Sequence, residues 1–238
     1  MQFYRQLNTI QAMTFDLDDT LYDNRPVIRR LERDIAAWLH SEHSVTATRS
    51  DSWWQQLKVE LATLHPELKH DVTKWRFEQI CQGLIQLGYT EQKANDVAEQ
   101  AIERVLRMRS DFSVPEHTHL VMAKLAKQLP LVGITNGNVD PDKIGLSEYF
   151  QVVLKAGPDG RAKPEADLFL KAQQHLNIAP QHILHVGDHL RTDVLGAKNH
   201  GFMACWFNDQ GLMLHSAPKA RVLPDVEIAQ LDELLALV

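Results

Sequence analysis

Asp16 and Asp18 lie in the stretch Phe15-Asp16-Leu17-Asp18-Asp19-Thr20, directly after an apolar run, so a strand ends by bringing several carboxylates to one place. Adjacent anions repel, and burial raises the cost of their charge, so the arrangement calls for a cation or a proton transfer that uses it. A magnesium ion, Mg²⁺, answers that need. It takes hard oxygen ligands, keeps several waters and is commonly held by one or two carboxylates beside a substrate phosphate.

Three further stretches place small, polar or charged groups where strands end. They are Thr135-Asn136-Gly137-Asn138, Lys163-Pro164 after Gly160-Arg161-Ala162, and Gly187-Asp188-His189-Leu190-Arg191-Thr192-Asp193. Taken singly, each has an ordinary explanation as a turn, a helix cap or a surface lysine. Together they supply a nucleophile, metal carboxylates, a hydroxyl and an ammonium. Phosphoryl transfer needs those parts: an in-line nucleophile, neutralised non-bridging oxygens and a proton for the leaving group. Uncatalysed monoester hydrolysis is so slow that enzymes accelerate it by up to about 10²¹.

The elements that must position these groups alternate. Apolar, β-rich runs at residues 12–15, 131–135, 152–156, 183–186 and 203–207 are separated by helical patterns such as 116–128, 166–176 and 192–200. Strand alternating with helix predicts an α/β fold: a Rossmann-like parallel sheet joined by crossovers and covered on both faces. The run 12–15 is expected to be the first strand and to lie centrally. In open sheets of this kind ligands bind beyond the carboxyl ends of the strands, where the charged stretches fall.

Between residues 22 and 112 the texture changes to helical periodicity with no convincing buried strand. Ile28, Leu31, Ile35 and Leu39 are spaced for one helix face, as are Trp53, Leu57, Val59 and Leu61, then Trp75, Ile80 and Leu84, then Val97, Ala101 and Val105. The expected organisation is a core of residues 1–21 and 113–238 with a helical cap of 22–112 inserted after the first strand. A module hinged there could close over a site and exclude water. Within it, Trp75 is expected as helix core beside solvated Lys74 and Arg76, Trp53-Trp54 as packing, and Arg25, Arg29 and Arg33 as a solvated helix face.

Composition narrows the partners. A net charge of −6 argues against a general nucleic-acid or anionic-membrane surface. No uninterrupted apolar run reaches the roughly 18 residues of a membrane span, and the N-terminus lacks a signal-peptide core, so a cytoplasmic protein is expected. Cys81 and Cys205 have no metal or redox spacing and are expected as buried thiols in a helix and a strand.

The four stretches, in this order, resemble the motifs of the haloacid dehalogenase-like hydrolase superfamily. The resemblance implies that Asp16 attacks phosphorus to form an aspartyl-phosphate, and that Asp18 protonates the leaving oxygen and then activates water. It also implies that Thr135 and Asn136 hold the phosphoryl group, that Lys163 neutralises it, and that Asp16, the main-chain carbonyl of Asp18, Asp188 and Asp193 serve the metal. The superfamily's dehalogenases lack the second aspartate of the first motif, so Asp18 favours a phosphatase or a phosphomutase. Beyond the motifs, Phe15 to Pro26, His70 to Phe77, Ile134 to Asn138 and the segment His185 to Val194 are similar to the bacterial phosphatases of flavin biosynthesis. Those act on FMN and 5-amino-6-(5-phospho-D-ribitylamino)uracil. His189 stands where many relatives carry an acidic residue. The alternatives left open are a phosphatase of another small metabolite, a phosphosugar mutase and a non-catalytic sensor of a phosphorylated ligand.

Overall fold

A computed structural model describes residues 1–217 and 220–238, which divide into two compact units. The first comprises Met1–Asn24, Ser113–Gly137 and the described part of Pro141–Val238. Its apolar runs form strands β1 (Gln2–Phe3), β2 (Ala12–Phe15), β3 (Leu131–Thr135), β4 (Val152–Lys155), β5 (Ile183–Gly187), β6 (Met203–Phe207) and β7 (Val226–Ile228). Among the described residues these make one seven-stranded sheet in the order β1-β7-β6-β5-β2-β3-β4. Every pairing is parallel except that of β1 with β7.

Each residue of β2, β3 and β5 is buried, which is what unbroken apolar strands require of a sheet covered on both faces. Between the strands lie the helices numbered here α5 (Glu116–Leu125), α6 (Ala166–Leu176) and α7 (Gly196–Asn199); α7 continues a π-helical turn over Leu190–Leu195. Val132 and Ile134 of β3, Ile183 of β5, Leu168 and Phe169 of α6 and Trp206 of β6 share one buried cluster.

Two expectations need correction. Ala12–Phe15 is the second strand in the chain, because Gln2 and Phe3 add an antiparallel edge opposite Glu227 and Val226. Strands of two and three residues carry no periodicity to read. The helix after the fourth motif begins at Leu190 rather than Thr192, because the His189 side chain caps it.

The second unit comprises Arg25–Phe112 and Asn138–Asp140. Its helices are α1 (Arg25–Glu42), α2 (Asp51–Leu64), α3 (Val72–Gln86) and α4 (Glu91–Arg109). Leu31, Ile35 and Leu39 of α1, Ile80 and Leu84 of α3, and Val97, Ala101 and Val105 of α4 form its core, while Leu57 and Leu61 of α2 gather Trp53, Trp54 and Trp75. Trp75 is therefore packing, and its indole N–H donates to the Lys58 carbonyl at 2.9 Å. Val59 breaks the helical pattern and is 64% exposed. Asn138–Asp140 joins this unit through Asn138 Nδ2 to Thr73 Oγ1 at 3.0 Å and Asp140 N–H to Ser110 Oγ at 2.9 Å. Cys81 (α3) and Cys205 (β6) are buried free thiols, and burial pushes the Cys205 thiol far up. Among the described residues no helix is long and apolar enough to cross a membrane.

Candidate active site

The register of the parallel strands brings the charged stretches together. Phe15 pairs with Val186 on one side and Gly133 on the other, so Asp16 and Asp188 emerge from neighbouring strands and Thr135 ends the strand on the far side. The β2–β5 ladder continues one step, Asp16 N–H donating to the Val186 carbonyl at 2.9 Å. The chain then turns sharply. Thr20 and Leu21 N–H both reach back to the Leu17 carbonyl, and Asp19 takes a left-handed backbone with φ 58°, a conformation Asp tolerates better than most residues.

Lys163 ties the site across the sheet. Its Nζ donates to Asp16 Oδ1 and to Asp193 Oδ1, each at 2.7 Å, with only 1% of its side chain exposed. Burial works against the ammonium, but the two carboxylates outweigh it and hold the pKa above its ordinary value. Asp193 accepts from three further donors: His185 Nε2 at 3.2 Å, His189 N–H at 3.0 Å and Thr192 Oγ1 at 3.3 Å. Burial alone would raise its pKa; Lys163 and His185 hold it well below the usual carboxylate range. Because an ionised Asp193 only accepts, His185 carries its proton on Nε2 and takes the Thr14 hydroxyl at Nδ1, 2.8 Å away. Burial keeps that imidazole neutral.

Asp16, Asp188 and Asp193 each offer one oxygen within 4.8 Å of the others, so they could hold a metal ion. Burial, then the charges of Asp193 and Asp18, pushes Asp16 up to about 7 against the pull of Lys163. Burial, then the Asp193, Asp16 and Asp19 carboxylates, pushes Asp188 up to about 8. Such a cluster holds protons at neutrality unless a cation displaces them, and an all-oxygen donor set suits a hard dication such as Mg²⁺. The Asp188 main chain is pinned, its N–H on Thr20 Oγ1 at 3.1 Å and its carbonyl accepting from Trp206 Nε1 at 2.8 Å, which leaves the carboxylate to the cluster. Asp193 already has four donors on its oxygens.

The remaining expected residues fall as follows. The Asp18 carboxylate accepts from Tyr22 Oη at 2.6 Å and stands outside the acidic trio. Thr135 Oγ1 accepts from Gly137 N–H at 2.9 Å, so its hydroxyl proton stays available as a donor. At Asn136 the side-chain Nδ2 donates to the Lys163 carbonyl at 2.9 Å and Oδ1 accepts from Lys163 N–H at 2.8 Å. That carboxamide is committed to the lysine loop, and only the Asn136 main chain is left for a phosphate. His189 Nδ1 accepts from Thr192 N–H at 3.1 Å, which is the work of a helix cap. Sequence reasoning gave no role to Thr14, Thr20 or Trp206. His185 carried a usable signal, since a polar side chain in a buried apolar strand needs a partner.

Gly187 reports on how tightly Asp193 is held. A Cβ there would meet Asp193 Cγ at 2.4 Å and Cβ at 2.5 Å. Gly187→Ala is therefore expected to move the carboxylate and lower turnover by about 100-fold, the usual result of a misplacement near 1 Å. Steady-state kinetics beside a thermal melt checks it; full activity would show that Asp193 has slack.

Residues 10–201 match the model of the haloacid dehalogenase-like hydrolase family. Over 238 residues, covering 100% of both chains, the sequence is 43% identical to the 5-amino-6-(5-phospho-D-ribitylamino)uracil phosphatase YigB of Escherichia coli (strain K12). It is 25% identical to the human N-acylneuraminate-9-phosphatase over 97% of this chain and 94% of that one. The crystal structure of a 2-haloacid dehalogenase from Pseudomonas syringae pv. Tomato DC3000 superposes with a TM-score of 0.88 at 32% identity, covering 96% of this chain and 98% of that one. The order of the motifs, the parallel sheet that gathers them and the matched family model together place this chain in the haloacid dehalogenase-like hydrolase family.

Proposed function

We propose that the protein is a cytoplasmic, Mg²⁺-dependent phosphomonoesterase that hydrolyses a small phosphorylated metabolite through an aspartyl-phosphate on Asp16. Its proposed substrates are 5-amino-6-(5-phospho-D-ribitylamino)uracil and FMN, in riboflavin biosynthesis. The observation that carries the reaction is the Asp16 carboxylate, held by Lys163 at 2.7 Å and grouped with Asp188 and Asp193. The substrate rests on full-length 43% identity to the E. coli enzyme of that name.

In this reading an Asp16 oxygen attacks phosphorus, the bond to the leaving oxygen breaks, and Asp18 delivers the proton that oxygen needs. Asp18 then takes a proton from water, which attacks the aspartyl-phosphate and frees Asp16 and inorganic phosphate. Lys163, the Thr135 hydroxyl and the Asn136 main chain hold the non-bridging oxygens. Asp16, Asp188 and the Asp18 carbonyl would hold Mg²⁺, which would supply positive charge where the transferring group carries negative charge. Carbon–halogen hydrolysis, the activity for which the Pseudomonas protein is named, has no use for a second acid, and Asp18 argues against it.

A panel of FMN, the ribitylaminouracil phosphate, common sugar phosphates and 2-chloropropionate tests the reading, each with Mg²⁺ and with EDTA. Turnover of the flavin-pathway esters is expected with Mg²⁺ alone. A preference for sugar phosphates above about tenfold in kcat/KM, near 1.4 kcal/mol, rejects the substrate, and halide release without ester turnover rejects the reaction.

The metal can be tested by pH. Asp16 and Asp188 bind protons more tightly folded, near 7 and 8, than the 3.8 of an ordinary aspartate. Their contribution to the metal-free fold is full below the unfolded value and fades as pH rises through the folded values. Mg²⁺ needs them deprotonated, so binding releases protons and tightens as pH rises. The Mg²⁺-induced rise in Tm is expected to be clearly larger at about pH 8 than at about pH 5.5. Equal shifts at both would remove these carboxylates from the metal site.

A further inference from the structure

A cleft of about 250 Å³ opens within the helical unit itself, between α1, α2 and α3. Its apolar lining is Ile35, Ala36, Leu39 and Ile80, with Trp54 as one wall. The indole is fixed in place. It lies so close over Gly83 that a Cβ there would meet Cζ3 at 2.1 Å, and the Trp54 carbonyl accepts from Gln79 Nε2 at 2.8 Å.

Three Lys or Arg side chains line the same cleft: Lys58 and Arg76 are half-buried, while Arg33 is exposed and pairs with Asp34. Lys58 Nζ sits 4.8 Å from the centroid of the Trp75 ring, which holds it in place. Burial, and then the nearby Arg76 guanidinium, lowers the Lys58 pKa; burial lowers that of Arg76. The lining carboxylates, Glu32 and Asp51, are exposed; Glu32 Oε1 forms a loose ion pair with Arg76 Nη2 at 3.9 Å and opposes the lowering at both cations from the solvent side, without outweighing burial. Two like charges converge beside a rigid aromatic wall, and the partner that relieves them is an anion attached to an apolar body. The volume lies just below the roughly 300–1,000 Å³ of clefts for drug-sized ligands, which restricts the occupant to one or two rings.

We propose that the cleft between α1, α2 and α3 is a binding site for a small organic anion with a flat apolar body, held by Lys58 and Arg76 and packed on Trp54. Its lining shares no residue with the acidic cluster at Asp16, and it stands or falls without the proposed phosphatase activity.

Calorimetric titration of the full-length protein with naphthalene-1-sulfonate, a probe without a hydrolysable phosphate, tests it. Saturable binding below about 1 mM is expected, at least about tenfold tighter than for the neutral naphthalene-1-sulfonamide. Lys58→Met and Arg76→Met, which keep the apolar stems, are each expected to weaken the sulfonate by about tenfold and to leave Mg²⁺-dependent ester turnover within about twofold. Should either fold poorly, Ala36→Phe fills the cleft without touching the cations and is expected to abolish binding with an unchanged melt. No saturable binding, equal affinity for the sulfonamide, full affinity in the variants, or displacement of the probe by inorganic phosphate with Mg²⁺ overturns the proposal.

Discussion

Asp16→Asn is expected to lower kcat by at least about 10⁴-fold, in line with removing a nucleophile from a covalent mechanism. The amide has the shape of the carboxyl group but cannot attack phosphorus. The fold should survive, because Lys163 keeps its 2.7 Å bond to Asp193 and an Asn oxygen can still accept from Nζ. Burial and neighbouring carboxylates oppose the Asp16 charge, so removing it relieves repulsion with Asp188. Rapid-quench kinetics with a phosphorus-labelled ester should trap label on Asp16 in the natural protein and none in the variant. A burst of labelled protein from the Asn variant would move the nucleophile elsewhere.

Lys163→Met is expected to damage both activity and stability. The ammonium is almost fully buried between Asp16 and Asp193, and removing one partner of a buried ionic group costs about 3–5 kcal/mol, because the remaining charges lose their compensation. Met preserves most of the volume, so the cost is electrostatic. Part of it is escapable. Asp16, already raised to about 7, takes up a proton as pH falls, so the loss should be greatest on the alkaline side and shrink in mild acid. Added Mg²⁺ should recover some of the melting temperature without restoring turnover, since the transferring group still lacks its ammonium. Denaturant unfolding at several pH values, with and without Mg²⁺, measures both effects. A variant as stable as the natural protein at about pH 8 would show that the two carboxylates do not need Lys163.

The five longer strands were legible because they are nearly unbroken apolar runs, and the site was legible because charged residues follow two of them immediately. Asp16 after Phe15 and Asp188 after Gly187 are local signals, and parallel pairing of β2 with β5 converts them into neighbours. The partnership of Lys163 with Asp16 crosses 147 residues of sequence and has no local signature. Only the resemblance suggested it. The bond of the Asn136 carboxamide was hidden for a related reason: its partner is the main chain of a loop 27 residues away. In the helical unit the expected packing of Trp75 held, but Arg76, expected to be solvated, is half-buried. Trp75 packs, and Arg33 and Arg29 are exposed, Arg33 pairing with Asp34 at 2.8 Å. Val59 misled because helical spacing also places some apolar residues on the wet side.

The Asn136 carboxamide gives and takes one hydrogen bond with the main chain of Lys163, the exchange two opposed residues make in an antiparallel ladder. A side chain thus imitates a rung of sheet and docks the lysine loop onto the β3 terminus. For recombination between homologues, the constraint therefore falls on position 136, since the partner at 163 is main chain. A chimera whose breakpoint falls between them works only if the parent supplying position 136 carries a carboxamide of this reach, so Asn to Asp, Ser or Gln at 136 should be purged from functional libraries.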